Sequence, residues 1–363
     1  MYKKVLLILS VLIIGLLLVS ACQPAAEPAT AEEAVEEPAA EEVVEEKAPK
    51  LGSAEKPVKV LFIPSLEADV IVAGGKLMGH ALEEATGLVY EVSVPTSYPA
   101  AVEEMCASPD DTMAFISGFA YVIANEKCGV DVSFKAVRYG AFEYWAAFNV
   151  LRDSGIETIE DLEGKTWGYG EASSTSGYIF PKVLLNEAGV TTGEEVLTGG
   201  HTQSIAAVYN GEVDFVTTYY TPPGRPDGTE WVFGESPDVP DDVLESCAVT
   251  ADGEDIDCSG YEIRDARPTI RVASPDVVQV IAIPFVSPGI PNDTLSFGPD
   301  FPAAEREVIE QGLLDFLETD LWGETIGSKD FYNWTGITVA ADADYDIVRA
   351  AVDLLGMTLE QLD

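Results

Sequence analysis

The feature that most constrains the fold is an alternation of short apolar runs with amphipathic segments, beginning near residue 56. PVKVLFIPS has the β-branched, apolar composition of a buried strand, and VAGGKLMGHALEEATG, which ends at Gly87, has helical spacing. LVYEVSVP and SYPAAVEEMCAS repeat the pair, and TMAFISGFAYVIANE predicts a strand that turns into a helix. This β-α-β-α order predicts a parallel sheet covered by helices on both faces.

The alternation continues toward the C-terminus with one interruption. EYWAAFNVLRDS predicts a strand, TIEDLEGK a short capped helix, KTWGYGEA a strand, and SIAAVYNGEVDFVTTYY a helix, a glycine turn and a strand. Residues 221–262 break the pattern with Pro, Gly, Asp and two cysteines, which predicts an inserted acidic surface loop. VIAIPFVS predicts another strand, and AEREVIEQGLLDFLETD and YDIVRAAVDLLGM predict closing helices. A chain of this length can form two lobes with a sizeable core.

The N-terminus has the pattern of an export signal. Lys3 and Lys4 precede an apolar run and the segment LVSACQP, so residues 1–21 are predicted to be a signal peptide. The ending resembles a bacterial lipobox, which implies cleavage before Cys22 and lipidation of its sulfur. A single transmembrane anchor is the alternative, although the run is short and acidic residues follow it. Residues 22–55 are rich in Ala, Glu and Pro and predict an extended acidic tether.

Charge limits the partners of this protein. The chain has 63 acidic and 20 basic side chains, for a formal net charge of -43. A surface of this sign argues against nucleic acid and anionic lipid as partners. A small anion would receive no long-range attraction, so its affinity must come from local hydrogen-bond donors.

The cysteines after Cys22 predict disulfides. An even number of cysteines in an exported chain favours disulfides over a metal site. Cys247 and Cys258 would close a short loop and are the preferred pair, and Cys106 with Cys128 is a plausible second pair. With two histidines in the chain and no CxxC spacing, we expect no metal site and no cofactor.

The most informative segment is GEASSTSGYIFPKVLL, residues 170–185. It predicts a strand end, a hydroxyl-rich turn and a helix. A helix N-terminus offers unpaired N–H groups and a partial positive charge, so it can bind a phosphoryl-type anion without a formal cation. Ser174, Thr175 and Ser176 can add hydroxyl donors. An ordinary helix cap is the alternative, but a cap needs one such hydroxyl.

Four segments in this order resemble one protein family. AFISGFAYVIA, GEASSTSGYIFPKVLL, GGHTQSIAAVYNGEVDF and SPGIPNDTL are similar to segments of the substrate-binding lipoproteins of phosphate, phosphite and phosphonate ABC transporters. The resemblance implies an α/β, type II periplasmic-binding-protein fold with two Rossmann-like lobes joined by a two-strand hinge. It also implies an extracytoplasmic, lipid-anchored protein that works with an ABC permease, and a monomer is expected.

The resemblance gives provisional lobe boundaries. Lobe 1 would comprise residues 56–146 and 290–363, and lobe 2 would comprise residues 147–289 with the inserted loop 221–262.

The resemblance also adds site residues outside the hydroxyl run. His201 opens the predicted helix after two glycines, where it would donate to the anion, while His80 is assigned to a structural helix. Tyr98 and Tyr144 match positions at which family members place ligand-contacting tyrosines, although core packing would explain each of them alone.

Asp293 is the unexpected residue in this set. A carboxylate repels an anion unless a proton lies between them, on a ligand oxygen or an ammonium group. Aminophosphonate-binding relatives carry a further acid after the VDF strand, and this chain has TTYYTPP there. The sequence therefore favours a small ligand such as phosphite, methylphosphonate or phosphate.

Three other functions remain compatible with the sequence. An esterase would use Ser174 or Ser176 as nucleophile, His201 as base and Asp214 as orienting group, although the G-x-S-x-G motif is absent. A binding protein of the same fold could take a sulfonate, a carboxylate or a thiamine precursor. A sensor module feeding a membrane receptor would have the same sequence features.

Overall fold

The structure is a computed structural model that describes residues 48–65, 68–329 and 331–357. The predicted signal peptide, Cys22 and most of the predicted tether lie outside the described residues. The strands are β1 Val58–Phe62, β2 Tyr90–Ser93, β3 Thr112–Ile116, β4 Asp131–Val137, β5 Glu143–Leu151, β6 Trp167–Tyr169, β7 Glu195–Leu197, β8 Phe215–Tyr220, β9 Cys247–Val249, β10 Ile256–Cys258, β11 Tyr261–Glu262, β12 Ile281–Val286, β13 Ile290–Pro291, β14 Thr294–Phe297 and β15 Gly336–Val339. The α-helices are α1 Ala68–Thr86, α2 Tyr98–Ala107, α3 Gly118–Cys128, α4 Phe180–Glu187, α5 His201–Tyr209, α6 Val277–Val280, α7 Ala303–Leu317, α8 Asp320–Glu324 and α9 Asp346–Leu355. Short 3₁₀ segments cover Ile159–Leu162, Asp241–Ser246, Arg267–Ile270 and Asp342–Tyr345.

The first sheet has the strand order β15-β4-β14-β3-β1-β2 and forms the centre of lobe 1. β1 pairs in parallel with β2 and β3, whereas β14 runs antiparallel between β3 and β4. The sheet is therefore mixed, and the prediction of a wholly parallel sheet was wrong. Parallel neighbouring strands are usually joined by a helical crossover. The chain reaches β14 from lobe 2 without such a crossover, so β14 can run antiparallel to its neighbours.

An aromatic cluster fills the core of lobe 1. The rings of Phe62 and Phe115 stack at 4.7 Å between centroids, and the fully buried Trp334 meets Phe115 edge-on. Two glycines let α1 approach this core. A Cβ on Gly74 would lie 2.6 Å from the Phe331 ring, and a Cβ on Gly75 would lie 2.8 Å from a methyl group of Val92.

The second sheet forms the centre of lobe 2, with the strand order β12-β5-β8-β6-β7. β6 is parallel to β7 and β8, while β5 is antiparallel to both β8 and β12. β13 pairs with the start of β5. Parallel strands β6 and β7 are each followed by a helix, so two helix N-termini lie at the same edge of this sheet.

The chain passes between the two lobes at two places. One is the segment from β4 to β5, and the other is the segment from β12 through β13 to β14. Within β5, Tyr144 and Ala146 pack in the core of lobe 1, whereas Phe148 and Val150 pack in a core of lobe 2. The predicted boundary between residues 146 and 147 falls in this strand, and the lobe boundaries stay a prediction.

The folded unit begins earlier than the predicted start at residue 56. Leu51 is buried in the lobe 1 core, and Gly52 packs against Leu88. The N–H of Val89 donates to the carbonyl of Gly52 at 2.8 Å. The assignment of residues 48–55 to the tether was therefore wrong, because the buried side chain of Leu51 and the backbone hydrogen bonds of Gly52 hold this segment to the domain.

The inserted segment, residues 221–262, contains more structure than a loop. β9, β10 and β11 form a small antiparallel sheet, and Cys247 and Cys258 face each other in it and are joined by a disulfide. The other disulfide joins Cys106 to Cys128 at the ends of α2 and α3. The structure thus forms both pairings considered from the sequence, and the predicted surface loop contains a small three-stranded sheet.

Ion pairs hold the insertion in place on both sides. On the lobe 2 side, Arg267 is buried between the carboxylates of Asp265 and Asp238, each 2.8 Å from its guanidinium. On the lobe 1 side, the ammonium of Lys329 contacts the carboxylates of Asp255 and Glu262. The insertion therefore connects the two lobes outside the hinge.

Candidate functional site

Helix N-termini from both lobes face one cleft. α2, α3, α4 and α5 follow the strands β2, β3, β6 and β7, so their N-termini lie at the carboxyl ends of these strands. In α/β proteins, ligands bind in the crevice outside the carboxyl ends of the strands. Three serines cap these starts: Ser97 accepts from the N–H of Ala100, Ser117 from that of Ala120, and Ser174 from that of Gly177.

The hydroxyl-rich turn of lobe 2 is buried and has an unusual backbone. Residues 173–176 are all buried, and Thr175–Ile179 form a π-helical turn that continues into α4. The N–H groups of Tyr178 and Ile179 both donate to the carbonyl of Ser174. π-Turns are rare and occur frequently at functional sites. Because Ser174 caps the turn, the N–H groups and hydroxyls of Thr175 and Ser176 lie at the N-terminus of this helix.

Thr175 joins the two lobes directly. Its Oγ1 accepts a hydrogen bond from the N–H of Phe119, in the first turn of α3, at 3.1 Å. A Cβ on Gly118 would lie 3.3 Å from the Tyr345 ring, so the first residue of α3 packs closely against this ring. The hydroxyl run and the α3 N-terminus are therefore adjacent across the cleft, and the structure shows the lobes in contact.

His201 is held next to the hydroxyl-rich turn by glycines. A Cβ on Gly170 would lie 2.9 Å from the backbone of Gly200, so close approach of these two loops requires glycine. A Cβ on Gly177 would lie 3.4 Å from Cε1 of His201, which places the imidazole beside the start of the π-turn. The ring also packs edge-on against Tyr219, with 5.1 Å between centroids.

The imidazole of His201 is neutral and incompletely bonded. Its Nδ1 is buried and has no hydrogen-bond partner within the described part of the chain. Burial lowers the pKa of His201 from 6.5 to about 4, so the ring carries no charge at neutral pH. A buried polar atom without a partner at this place is suited to bind a ligand.

Tyr98 and Tyr144 are both buried, pack in the core of lobe 1 and lie near the carboxylate of Asp293. Burial, and then the nearby carboxylate of Asp293, raise the pKa of Tyr144, while the hydroxyls of Ser176 and Thr175 act in the opposite direction. Burial, and then the carboxylate of Glu171, raise the pKa of Tyr98 well above its ordinary value. Both phenols therefore stay protonated at neutral pH and can donate hydrogen bonds.

Asp293 is paired within the protein. Its Oδ2 lies 2.7 Å from the guanidinium of Arg138, which also donates to Oδ1 of Asn292 and to the carbonyl of Tyr332. Arg138 was not among the predicted site residues, and the predicted site offered the charge of Asp293 no partner except a ligand proton. Because Arg138 supplies that partner, the carboxylate of Asp293 does not by itself require a proton from the ligand.

Glu171 is a second residue that was not among the predicted site residues. Its Oε1 accepts hydrogen bonds from the backbone N–H of Tyr98 at 3.3 Å and from Oγ of Ser173 at 3.2 Å. Burial raises the pKa of this carboxyl. The signal in the sequence was an acid between a buried strand end and the hydroxyl run.

The described residues offer no sign of a metal site or of a spanning helix. No group of His, Cys, Asp and Glu in residues 48–65, 68–329 and 331–357 could hold a metal ion. Over the same residues, no helix has the length and apolar character needed to cross a membrane. His80 lies in α1 and is exposed, and it takes no part in the cleft.

Comparisons with known proteins agree with this arrangement. The curated phosphate-import protein PhnD of Mycolicibacterium smegmatis is 29% identical over 166 residues, which cover 42% of this chain and 51% of that protein. This chain thus spans about half the length of that relative.

Solved structures share the fold. A binding protein component of an ABC phosphonate transporter from Pseudomonas aeruginosa has a TM-score of 0.58 and 17% identity, over 81% of this chain and 85% of that one. PhnD1 from Prochlorococcus marinus, in complex with methylphosphonate, has a TM-score of 0.60 and 16% identity, over 82% and 98% of the two chains. These similarities support the two-lobe type II periplasmic-binding-protein fold.

A family profile described as ABC transporter, phosphonate, periplasmic substrate-binding protein matches residues 60–345. The match covers most of the chain and includes most of both lobes and all the cleft residues described above. The protein therefore belongs to the family of periplasmic substrate-binding proteins of phosphonate ABC transporters.

Proposed function

We propose that this protein captures a small phosphorus oxyanion outside the cytoplasm and delivers it to the permease of an ABC importer. Phosphite, methylphosphonate and phosphate are the ligands that fit best. One observation carries the proposal: the N–H of Phe119, in the first turn of α3, donates to the buried hydroxyl of Thr175 at the start of the π-turn that leads into α4, so helix N-termini of the two lobes meet at this hydroxyl. Two solved or curated relatives, one bound to methylphosphonate and one named for phosphate import, support this ligand class.

The donors in the cleft suit a tetrahedral anion. The N–H groups at the start of the turn and the hydroxyls of Thr175 and Ser176 would hold oxygens from the lobe 2 side. The phenols of Tyr98 and Tyr144 would add two more donors to the anion. His201 would donate through its unpaired Nδ1, in the tautomer that carries the proton on this nitrogen. These groups are neutral, so burying them costs less than burying a cation without its partner.

The same geometry favours binding over turnover. An esterase would need an acidic residue to orient His201, and Asp214 was the candidate. Oδ2 of Asp214 instead accepts the backbone N–H of Thr166 at 2.8 Å, where it holds a loop of lobe 2. Burial also lowers the pKa of His201 to about 4, which makes it a weak general base. We therefore propose a binding protein that does not transform its ligand.

Anchoring through Cys22 is part of the proposal. The predicted lipobox would place a lipid on this sulfur, and the acidic tether would carry a monomeric domain at the outer face of the cytoplasmic membrane, or in the periplasm where an outer membrane is present. The expected result for Cys22→Ala is loss of radiolabelled palmitate from the protein and its release from the membrane fraction. Retention of the label would contradict lipidation at this residue.

Calorimetric titration of the purified protein tests the ligand class. The panel is phosphite, methylphosphonate, 2-aminoethylphosphonate, phosphate and sulfate, in high salt. We expect tight binding of at least one small phosphorus oxyanion, no binding of sulfate, and loss of binding in a Thr175→Val/Ser176→Ala variant. Failure of every phosphorus compound to bind would refute the proposed function while leaving the fold assignment intact.

A further inference from the structure

Glu171 brings a carboxylate from lobe 2 to a helix N-terminus of lobe 1. Its Oε1 accepts the N–H of Tyr98, the first residue of α2, at 3.3 Å, and the Oγ of Ser173 at 3.2 Å. Ser173 directly precedes the hydroxyl run that forms the proposed anion site. The carboxylate therefore lies at the edge of that site, in the contact between the lobes.

The charges around the cleft leave Glu171 uncompensated. The negative charge of Asp293 is matched by Arg138, at 2.7 Å. His201 is neutral at physiological pH because burial lowers its pKa to about 4. Glu171 forms no ion pair with any residue in the described part of the chain, so within that part its negative charge has no cationic partner when this carboxylate is ionised.

A negative cleft restricts the ionisation state of the ligand. Two anionic oxygens that approach in a partly buried site repel each other unless a proton lies between them. An acidic P–OH group removes this repulsion, because it donates a hydrogen bond to the carboxylate. A sulfonate has the same tetrahedral shape and carries one charge, but it has no proton to donate near neutral pH.

We propose that Glu171 selects ligands that carry an acidic P–OH, by accepting its hydrogen bond, so that one proton enters the cleft with each phosphorus oxyanion. This inference rests on the proposed function and makes it more specific: the cargo is bound as a hydrogen-phosphonate, hydrogen-phosphite or hydrogen-phosphate. The count of one proton is the same whether it resides on the ligand oxygen or on Glu171. Burial, which raises the pKa of Glu171, already prepares this carboxyl to share a proton.

Other titratable groups near the cleft must be separated from Glu171. The phenols of Tyr98 and Tyr144 have raised pKa values and stay protonated. The ion pair of Arg138 and Asp293 is internally balanced. His201 is the competing acceptor, because a bound dianion could draw a proton onto its imidazole.

Calorimetry in buffers of different ionisation enthalpy measures this proton directly. Methylphosphonate is titrated into the full protein at a pH above the second pKa of the ligand. We expect uptake of about one proton by the wild type, and a dissociation constant that rises about tenfold per pH unit above that pKa. The variants are Glu171→Gln, His201→Asn and Glu163→Gln.

Glu163→Gln is the matched control. The carboxylate of Glu163 accepts a backbone N–H, from Thr191 at 2.7 Å, on the exposed surface of the same lobe. The substitution changes the net charge by the same amount as Glu171→Gln but lies outside the cleft. We expect proton uptake to fall to nearly zero in Glu171→Gln and to stay near one in Glu163→Gln and His201→Asn wherever binding is measurable.

The wild-type measurement alone can overturn the inference, so the result does not depend on the folding of a variant. Wild-type binding without proton uptake would refute it and leave the proposed function standing. Uptake that persists in Glu171→Gln and disappears in His201→Asn would assign the proton to the histidine. Tightest binding of 2-aminoethylphosphonate without proton uptake would mean that the carboxylate takes an ammonium group. If no phosphorus oxyanion binds at all, the inference falls together with the proposed function.

The affinity for methanesulfonate is an independent test of ligand selectivity. It is close in shape to methylphosphonate, but it lacks the acidic proton. We expect the wild type to bind it at least a hundredfold more weakly than methylphosphonate, and Glu171→Gln to narrow that gap at least tenfold, because an amide can donate to the sulfonate oxygen. An unchanged gap in Glu171→Gln would contradict the role assigned to this carboxylate.

Discussion

Replacing Thr175 by valine tests the centre of the site with little change in shape. Thr175 is 1% exposed, and its hydroxyl oxygen accepts the N–H of Phe119 from the other lobe at 3.1 Å. Valine preserves the branched side chain and removes the hydroxyl. The variant should lose one hydrogen bond to the anion and the partner of one N–H in the contact between lobes.

The expected loss of affinity follows from these two bonds. A hydrogen bond to a charged group contributes about 1.5–3 kcal/mol, and about 1.4 kcal/mol corresponds to a factor of ten. Thr175→Val should therefore weaken methylphosphonate binding by about 10- to 150-fold. The unpaired N–H of Phe119 should add to this loss, because it favours a more open arrangement in which water can bond to it.

Calorimetric titration beside two controls makes the result interpretable. Thr175→Ser keeps the hydroxyl and removes one methyl group, which is worth about 0.8 kcal/mol, so affinity should stay within about fivefold of the wild type. Thr158→Val removes an exposed hydroxyl at a 3₁₀ turn of the same lobe and should leave affinity unchanged. Valine and serine variants with equal affinity would refute the reasoning that the hydroxyl holds the ligand.

Two further predictions concern protonation and lobe contact. Because burial lowers the pKa of His201 from 6.5 to about 4, the unfolded chain takes up a proton earlier than the folded one as pH falls. The free energy of unfolding should drop by up to about 3 kcal/mol as the pH falls from 6.5 to 4. Chemical denaturation should show a smaller drop in His201→Asn and the full drop in His80→Asn. Equal drops in the two variants would contradict this prediction. Lys329→Met removes the ion pairs between lobe 1 and the insertion. These pairs are worth about 0.5–1 kcal/mol, so their loss should weaken ligand binding by about two- to fivefold in titrations. Lys182→Met breaks a pair within lobe 2, 2.6 Å long, and should not change binding; an equal effect of both lysine variants would argue against a role in closure.

The local part of the site could be predicted from the sequence, because its signals are contiguous. A strand end, four hydroxyl residues and a helix indicate an anion-binding N-terminus, and the structure places Thr175, Ser176 and His201 together there. Tyr98 and Tyr144 came from resemblance to relatives, and both are buried in the core of lobe 1 near the carboxylate of Asp293. Their contacts with a ligand stay a prediction.

The partners of the two cleft carboxylates could not be predicted, because they are distant in sequence. Arg138 and Asp293 are 155 residues apart, and Glu171 and Tyr98 are 73 residues apart. No periodicity or spacing connects such pairs, and only the packing of one lobe against the other brings them together. The mixed first sheet was missed for a similar reason, because the direction of β14 is set by the passage of the chain between lobes.

Asp293 and Glu171 affect the choice of ligand differently, because their negative charges are balanced differently. Asp293 is bonded to Arg138 in the protein itself, so it adds no charge that the ligand must match. Glu171 accepts hydrogen bonds from two neutral donors, the N–H of Tyr98 and the Oγ of Ser173. These bonds do not balance its negative charge when the carboxylate is ionised. Neutral donors recognise a tetrahedral oxyanion by shape, which phosphonates and sulfonates share. An unpaired carboxylate adds a requirement for a proton, which only the phosphorus compounds meet, so an acidic residue can increase the selectivity of an anion site while it lowers the affinity for dianions.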